Sequence, residues 1–147
     1  MTMIKNIFRK GRDQSVESDV PVTSQSNARV LVVDDSPTEI HIFKKILEKH
    51  GYQILVAKDG QEGVDIAKQE LPDIIVMDVV MPVLNGFQAT RQLKNNESTA
   101  NIPVIMVTTK GQQTDKNWGM RQGATEYLVK PVAPADLLNK IKALINA

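Results

Sequence analysis

The stretch VLVVDDSPTE, Val30–Glu39, decides how the rest of the chain is read. Four apolar residues, three of them β-branched, run straight into two adjacent aspartates. The run has the length and composition of a buried strand. Ser36-Pro37-Thr38-Glu39 then has the spacing of a capping box, with proline at the first helical position. Two like charges therefore stand side by side where a strand hands over to a helix, and something must hold them there.

The same alternation repeats outward from this point. Apolar runs recur as QILVA (53–57), DIIVMD (73–78), IPVIMVT (102–108) and EYLVK (126–130). Segments with helical period lie between or after them: Ile40, Phe43, Leu47; Val64, Ala67, Leu71; Phe87, Thr90, Leu93; and Leu137, Leu138, Ile141, Leu144, Ile145. Asp59-Gly60-Gln61-Glu62 is a second helix start, Gly51 and Gly123 are helix stops, and Pro72 follows a helix. Strands apolar on both faces, alternating with helices, predict a parallel sheet covered on both sides. Five such units over about 120 residues fit one doubly wound α/β domain, residues 29–147.

Ahead of it the chain changes character. DQSVESDVPVTSQSN is polar, Ser-rich and without period, so residues 13–28 read as a flexible linker. Residues 1–12 carry Lys5, Arg9, Lys10 and Arg12 and no acid. On a helix, Met1, Met3, Ile4, Ile7 and Phe8 fall opposite those bases. This basic amphipathic tail reads either as a frayed end or as a peptide docking on a membrane surface or partner protein. From residue 28 on, bases and acids balance at fourteen each, so nothing draws the domain to nucleic acid. No apolar run approaches the roughly 18 residues of a membrane span. Cysteine is absent, so disulfides and thiolate metal sites are excluded. A cytoplasmic protein is expected.

In doubly wound sheets the site lies beyond the carboxyl ends of the strands. Strand one ends in Asp34-Asp35, strand three in Asp78, strand four in Thr108 and strand five in Lys130-Pro131. Two unit charges 4 Å apart repel by about 4 kcal/mol at an effective dielectric of 20. Converging carboxylates therefore demand a cation. All-oxygen ligands suit a hard ion, Mg²⁺ or Mn²⁺. Taken singly, each residue has a plainer reading: Asp35 as a helix cap, Thr108 as a structural strand end, Lys130 as a surface charge. Their joint placement at one edge favours a site.

VVDDSP, VMDVVMPVLNG, VTTK and YLVKP, at these intervals, resemble a response-regulator receiver domain of the chemotaxis CheY fold. FQATRQL, TTKGQQTDKNWGMRQGA and YLVKPV are similar to the PilH class of type IV pilus twitching-motility regulators. The resemblance covers residues 29–147 and implies a flavodoxin-like sheet of order 2-1-3-4-5. It implies that Asp78 accepts a phosphoryl group from a histidine kinase of CheA-like type. Asp34, Asp35, Asp78 and the backbone carbonyl of Val80 would hold Mg²⁺, and Thr108 and Lys130 would contact the phosphoryl oxygens. Phosphorylated Asp78 plus two carboxylates carry about −4, which the ion and Lys130 together nearly match. Tyr127 takes the place of an aromatic switch that turns inward with Thr108; its plainer reading is a half-buried strand residue. Lys130-Pro131 is expected to be cis, and Met81-Pro82 and Gly86 to shape the loop after Asp78. Thr109 and Val80 depart from the family's commoner small and polar residues, which leaves the phosphoryl lifetime open. His41 and His50 read as surface residues.

Nothing follows the last helix, so output by protein binding is expected, through pilus machinery or another partner. A phosphate sink without direct output is the alternative. A Mg²⁺-dependent aspartyl phosphohydrolase would want D-x-D, but the run is Asp78-Val79-Val80. Nucleotide binding lacks both glycine-rich fingerprints. If residues 1–12 localise the protein, each base near an anionic surface adds about 1 kcal/mol. Deleting residues 1–27 is predicted to leave the melting temperature and Asp78 phosphorylation unchanged while lowering binding to anionic liposomes. An early-melting truncation would show that the segment is structural.

Overall fold

The structure, a computed structural model, describes residues 28–146. The tail 1–12 and the linker up to residue 27 lie outside the described residues. Ala28, the linker's last residue, is packed in the core, and its carbonyl accepts a hydrogen bond from Gln53 N (3.0 Å).

Five strands and five helices alternate: β1 (Arg29–Val33), α1 (Pro37–Lys49), β2 (Gln53–Ala57), α2 (Gly60–Glu70), β3 (Ile74–Met77), α3 (Gly86–Lys94), β4 (Val104–Thr108), α4 (Gln113–Gln122), β5 (Glu126–Val129) and α5 (Pro134–Ile145). All pairings are parallel, in the order β2-β1-β3-β4-β5. This is the parallel sheet that the alternation of strands and helices predicts, in the order that the family resemblance implies. The period of two explains why both faces are covered. Val30 and Val32 of β1, with Ile74 and Val76 of β3, face Phe43 and Leu47 of α1 and Leu137 and Ile141 of α5. Leu31 and Val33, with Ile75 and Met77, face Val64 and Ala67 of α2 and Ala89 and Leu93 of α3. The central strands are buried except at Arg29, the first residue of β1, whereas the edge strands β2 and β5 are largely half-buried.

The strand order reverses between β1 and β3: the chain leaves β1 for β2 on one side, then returns past it to β3. Helices on opposite faces diverge at that switch point and leave a crevice at the strand ends. Asp34 and Asp78, the residues just past β1 and β3, occupy it.

One local expectation is corrected. The box at Ser36 forms only by half. Ser36 Oγ accepts from Glu39 N (3.3 Å), but Ser36 N donates to Asp34 Oδ1 (2.9 Å). The Glu39 carboxylate turns instead to Lys130 (3.5 Å), because a nearby ammonium attracts it more strongly than a neutral amide. A reciprocal box, unread in the sequence, forms at Asn85 and Gln88 and starts α3.

Gly86, at the first position of α3, is required by a close approach. A Cβ there would lie 2.1 Å from the Asp78 carbonyl oxygen and 2.8 Å from Val79 Cα. Both obstacles are backbone, so nothing can rotate away, and α3 packs directly on the loop that carries Asp78. Gly86→Ala is predicted to lower stability by about 1–3 kcal/mol through overpacking, read as a lower urea midpoint. An unchanged midpoint would show that the loop yields freely.

Candidate functional site

Each site residue is placed by the element before it. Asp34 follows the buried run Val30–Val33 and is 2% exposed. Its Oδ1 accepts from Ser36 N, and its Oδ2 receives the Lys130 ammonium at 2.9 Å. Asp34 thus both opens α1 and anchors the lysine from β5. Asp35 is exposed. Asp78 is 8% exposed, and its Oδ1 accepts from Val79 N at 2.7 Å. Ligand oxygens of Asp34, Asp35 and Asp78 all lie within 4.8 Å of one another. Lys130 Nζ reaches Asp78 Oδ2 at 3.7 Å. The Lys130-Pro131 bond is cis, as expected.

Thr108 ends β4 fully buried, and its Oγ1 accepts from Lys110 N (3.4 Å). Tyr127 is half-buried on β5, and its hydroxyl donates to the Lys110 carbonyl at 2.7 Å. The loop from Thr108 to Lys110 therefore connects the acidic crevice to the aromatic ring. Val80 lies in the loop after β3, with its side chain exposed, and Thr109 is exposed beside Thr108. His41 and His50 are both on the surface. Sequence reasoning misses Glu39 as a neighbour of Lys130, because its cap position absorbs it. The signal was a carboxylate one helical turn past the aspartate pair.

The electrostatics follow from burial. Burial pushes the Asp78 carboxyl above the ordinary 3.8, against the pull of Lys130; Asp34 adds to the rise, while the Val79 amide and the Thr108 hydroxyl oppose it. For Lys130, burial pulls the ammonium down. The Asp34 hydrogen bond and the charges of Asp78, Asp34 and Glu39 outweigh that, so it ends above 10.5. The Tyr127 phenol is pushed up to about 12, first by burial and then by Asp115 and Asp78. Lys130 is thus a fixed cation, and three carboxylates face it. The remaining negative charge, presented by oxygens alone, fits a divalent hard ion.

Asp78 carries a linkage consequence. Its folded pKa is raised, so its contribution is most favourable below 3.8 and is lost as pH rises through the folded value. At neutral pH the ionised side chain costs stability. In chelator at pH 7, Asp78→Asn is predicted to raise stability by on the order of 1 kcal/mol, the relief of one screened like-charge contact. The gain should shrink as pH falls toward 3.8. Urea midpoints across pH check this, and a gain that does not vary with pH would contradict it.

Comparison with known proteins agrees with this geometry. The model of the response regulator receiver domain matches residues 30–142. Protein PilH of Pseudomonas aeruginosa is 58% identical over 118 residues, covering 80% of this chain and 98% of that protein. PhoP, an alkaline phosphatase synthesis transcriptional regulatory protein of Bacillus subtilis, is 35% identical, and the match spans 49% of its length. Among solved structures, Vibrio cholerae chemotaxis protein CheY4 superposes with a TM-score of 0.76 at 34% identity, covering 81% of this chain and 99% of that one. A sensor histidine kinase receiver domain from Pseudomonas aeruginosa, solved with a magnesium ion coordinated in its active site cleft, gives 0.78 at 30% identity, covering 83% and 100%. Receiver domains act in signalling, interact with histidine kinases and output partners, and bind Mg²⁺ in an acidic pocket. No helix among the described residues is long and apolar enough to cross a membrane. The chain, with its acidic crevice at the switch point of a 2-1-3-4-5 sheet, belongs to the response regulator receiver domain family.

Proposed function

We propose that this chain is a response regulator that accepts a phosphoryl group on Asp78 from a histidine kinase of CheA-like type. The observation that supports this best is the meeting of Asp34, Asp35 and Asp78 oxygens within 4.8 Å, with Lys130 as the ammonium partner of Asp34 and Asp78. Asp34, Asp35, Asp78 and the Val80 carbonyl would hold Mg²⁺, with Mn²⁺ a chemical equivalent. When bound, the ion supplies positive charge against the phosphoryl oxygens in the transition state.

The chain's own residues do the rest. A carboxylate oxygen of Asp78 attacks phosphorus as the bond to the kinase imidazole breaks; the ring nitrogen keeps that electron pair and takes up a proton. The Val79 amide, 2.7 Å from Asp78 Oδ1, orients the nucleophile. Lys130 stands where charge develops, already held by Asp34, so little reorganisation is needed. The Thr108 hydroxyl, whose influence lowers the pKa of the Asp78 carboxyl, would follow a phosphoryl oxygen, and Tyr127 would report that movement through the Lys110 carbonyl.

Output is by protein–protein contact, in control of type IV pilus twitching motility or related chemotaxis-like signalling. The similarity to PilH over nearly that whole protein supports this. The protein works in the cytoplasm, with the tail 1–12 giving weak attachment to a membrane or polar partner.

Intact mass measurement with acetyl phosphate tests the assignment. Wild type is expected to gain one phosphoryl group in Mg²⁺ and none in chelator, and Asp78→Ala to gain none. Labelling of Asp78→Ala at the wild-type level would overturn it.

A further inference from the structure

Helix α4 contains a glycine where helix chemistry disfavours one. Gly119 is the seventh of the ten residues of Gln113–Gln122, in the last turn, where its carbonyl accepts from Gly123 N and, at 3.2 Å, from Ala124 N; the left-handed cap residue is Gly123, so the cap does not itself require a glycine at 119. Glycine is the poorest helix former after proline. Among the described residues of this helix, Gly119 and Gln122 are the buried ones. A residue that breaks a local rule at a buried position points to a constraint from outside the helix.

The constraint is visible in what a side chain would meet. A Cβ on Gly119 would lie 2.9 Å from Met106 Sδ and 2.9 Å from both Cδ2 and Cε2 of Tyr127. Met106 and Tyr127 are register partners on β4 and β5, so they stand side by side under α4. The Tyr127 hydroxyl is tied to the Lys110 carbonyl at 2.7 Å, and Lys110 N donates to Thr108 Oγ1 at 3.4 Å. One edge of the ring therefore lies close to a backbone with no side chain at that point, at the end of a chain of contacts that begins in the acidic crevice.

Burial decides which neighbour would give way. Met106 is fully buried, hemmed in by the core. Tyr127 is half-buried and at the sheet edge, where rotation about χ1 carries the ring toward solvent. An added methyl group would therefore expel Tyr127 and break its bond to Lys110, and the Met106 sulfur, equally close to the new methyl, would shift into the space that the ring leaves.

We propose that Gly119 is a positioning residue: it forms the seat for the inward Tyr127 ring and thereby couples α4 to the loop that carries Thr108. The seat stands on geometry alone. Its coupling to the crevice rests on the phosphoacceptor reading of Asp78, so the two are tested separately.

For the seat, full-length wild type and Gly119→Ala are compared by NMR without any phosphoryl mimic. Wild type should show cross-relaxation between the Tyr127 ring protons and both Gly119 Hα and the Met106 side chain. In Gly119→Ala the contact to Met106 should vanish. Urea midpoints complete a cycle with Tyr127→Ala. Helix propensity alone would raise the midpoint equally in both backgrounds; a seat requires that Gly119→Ala gain stability only when Tyr127 is removed. If Gly119→Ala fails to fold but the double variant folds, the seat is equally supported. Equal effects in both backgrounds, a retained Met106 contact, or unfolding of both variants would overturn the seat.

For the coupling, the dissociation constant of beryllofluoride with Mg²⁺ is measured. Linkage requires that expelling the ring weaken the phosphoryl mimic, by about fivefold or more. It should do so in the wild-type background and have no effect in Tyr127→Ala. Equal affinity in wild type and Gly119→Ala would overturn the coupling. Failure of wild type to bind the mimic would also remove the coupling, by way of the Asp78 assignment, while the NMR result still judges the seat.

Discussion

The structure turns on a half-buried ammonium among carboxylates. Asp34 is 2% exposed and Asp78 8%, so water screens little of their repulsion. Lys130 Nζ, 2.9 Å from Asp34 and 3.7 Å from Asp78, is what makes the pair tenable. That contact also joins distant parts of the chain. Asp34 ends β1 and accepts from the Ser36 amide at the start of α1, while Lys130 comes from the far edge of the sheet. Glu39, from the first turn of α1, closes on the same lysine. Removing the lysine would leave a buried charge without its partner, the costly case for an ion pair; such losses run to about 3–5 kcal/mol. Yet one ammonium does not neutralise three carboxylates. The residual charge, presented by oxygens alone, is of the kind that suits a divalent hard cation.

The two sides of the crevice differ mechanically. On the β3 side, α3 begins against the Asp78 carbonyl, and Gly60 of α2 would place a Cβ 2.0 Å from the Leu84 carbonyl oxygen. Backbone meets backbone there, and the wall is stiff. On the β4–β5 side, α4 buries little and leaves Trp118 and Met120 about half exposed. Few apolar contacts mean a low local cost of rearrangement. A rigid receiving wall beside a loosely held helix suits a protein in which charge at one end is read at the other. Val83, in the loop between β3 and α3, adopts φ 69° with 82% exposure. A β-branched residue in that conformation is strained, and the neighbouring Leu84 N–Pro82 O bond (2.7 Å) holds the turn.

Much of this was legible in the sequence because each crevice residue is punctuated by its strand. Asp34, Asp78, Thr108 and Lys130 each follow a run of β-branched or apolar residues, and strand ends in a doubly wound sheet converge by topology alone. The central strands were readable because they are apolar on both faces. Other features depend on contacts between segments far apart in the chain, which periodicity does not encode. Glu39 has the spacing of a capping partner, and only the arrival of Lys130 shows why it turns away. The α4 signal was weak because Gln113–Gln122 has almost no apolar face. Gly119 could have been flagged as a glycine inside a helix, but the Tyr127 ring that requires it comes from the adjoining strand. Residues 1–12 lie outside the described residues, so their role stands on charge pattern alone.

The central claim is that the crevice retains negative charge which a divalent ion neutralises. The most direct measurement is the urea midpoint of wild type titrated with Mg²⁺ in parallel with Asp78→Asn and Asp35→Asn. Binding to the folded state alone must stabilise by mass action. The account predicts a midpoint that rises with Mg²⁺ and saturates in wild type, with a markedly weaker rise in either variant. A wild-type midpoint indifferent to Mg²⁺, or a rise of the same size in all three proteins, would contradict it.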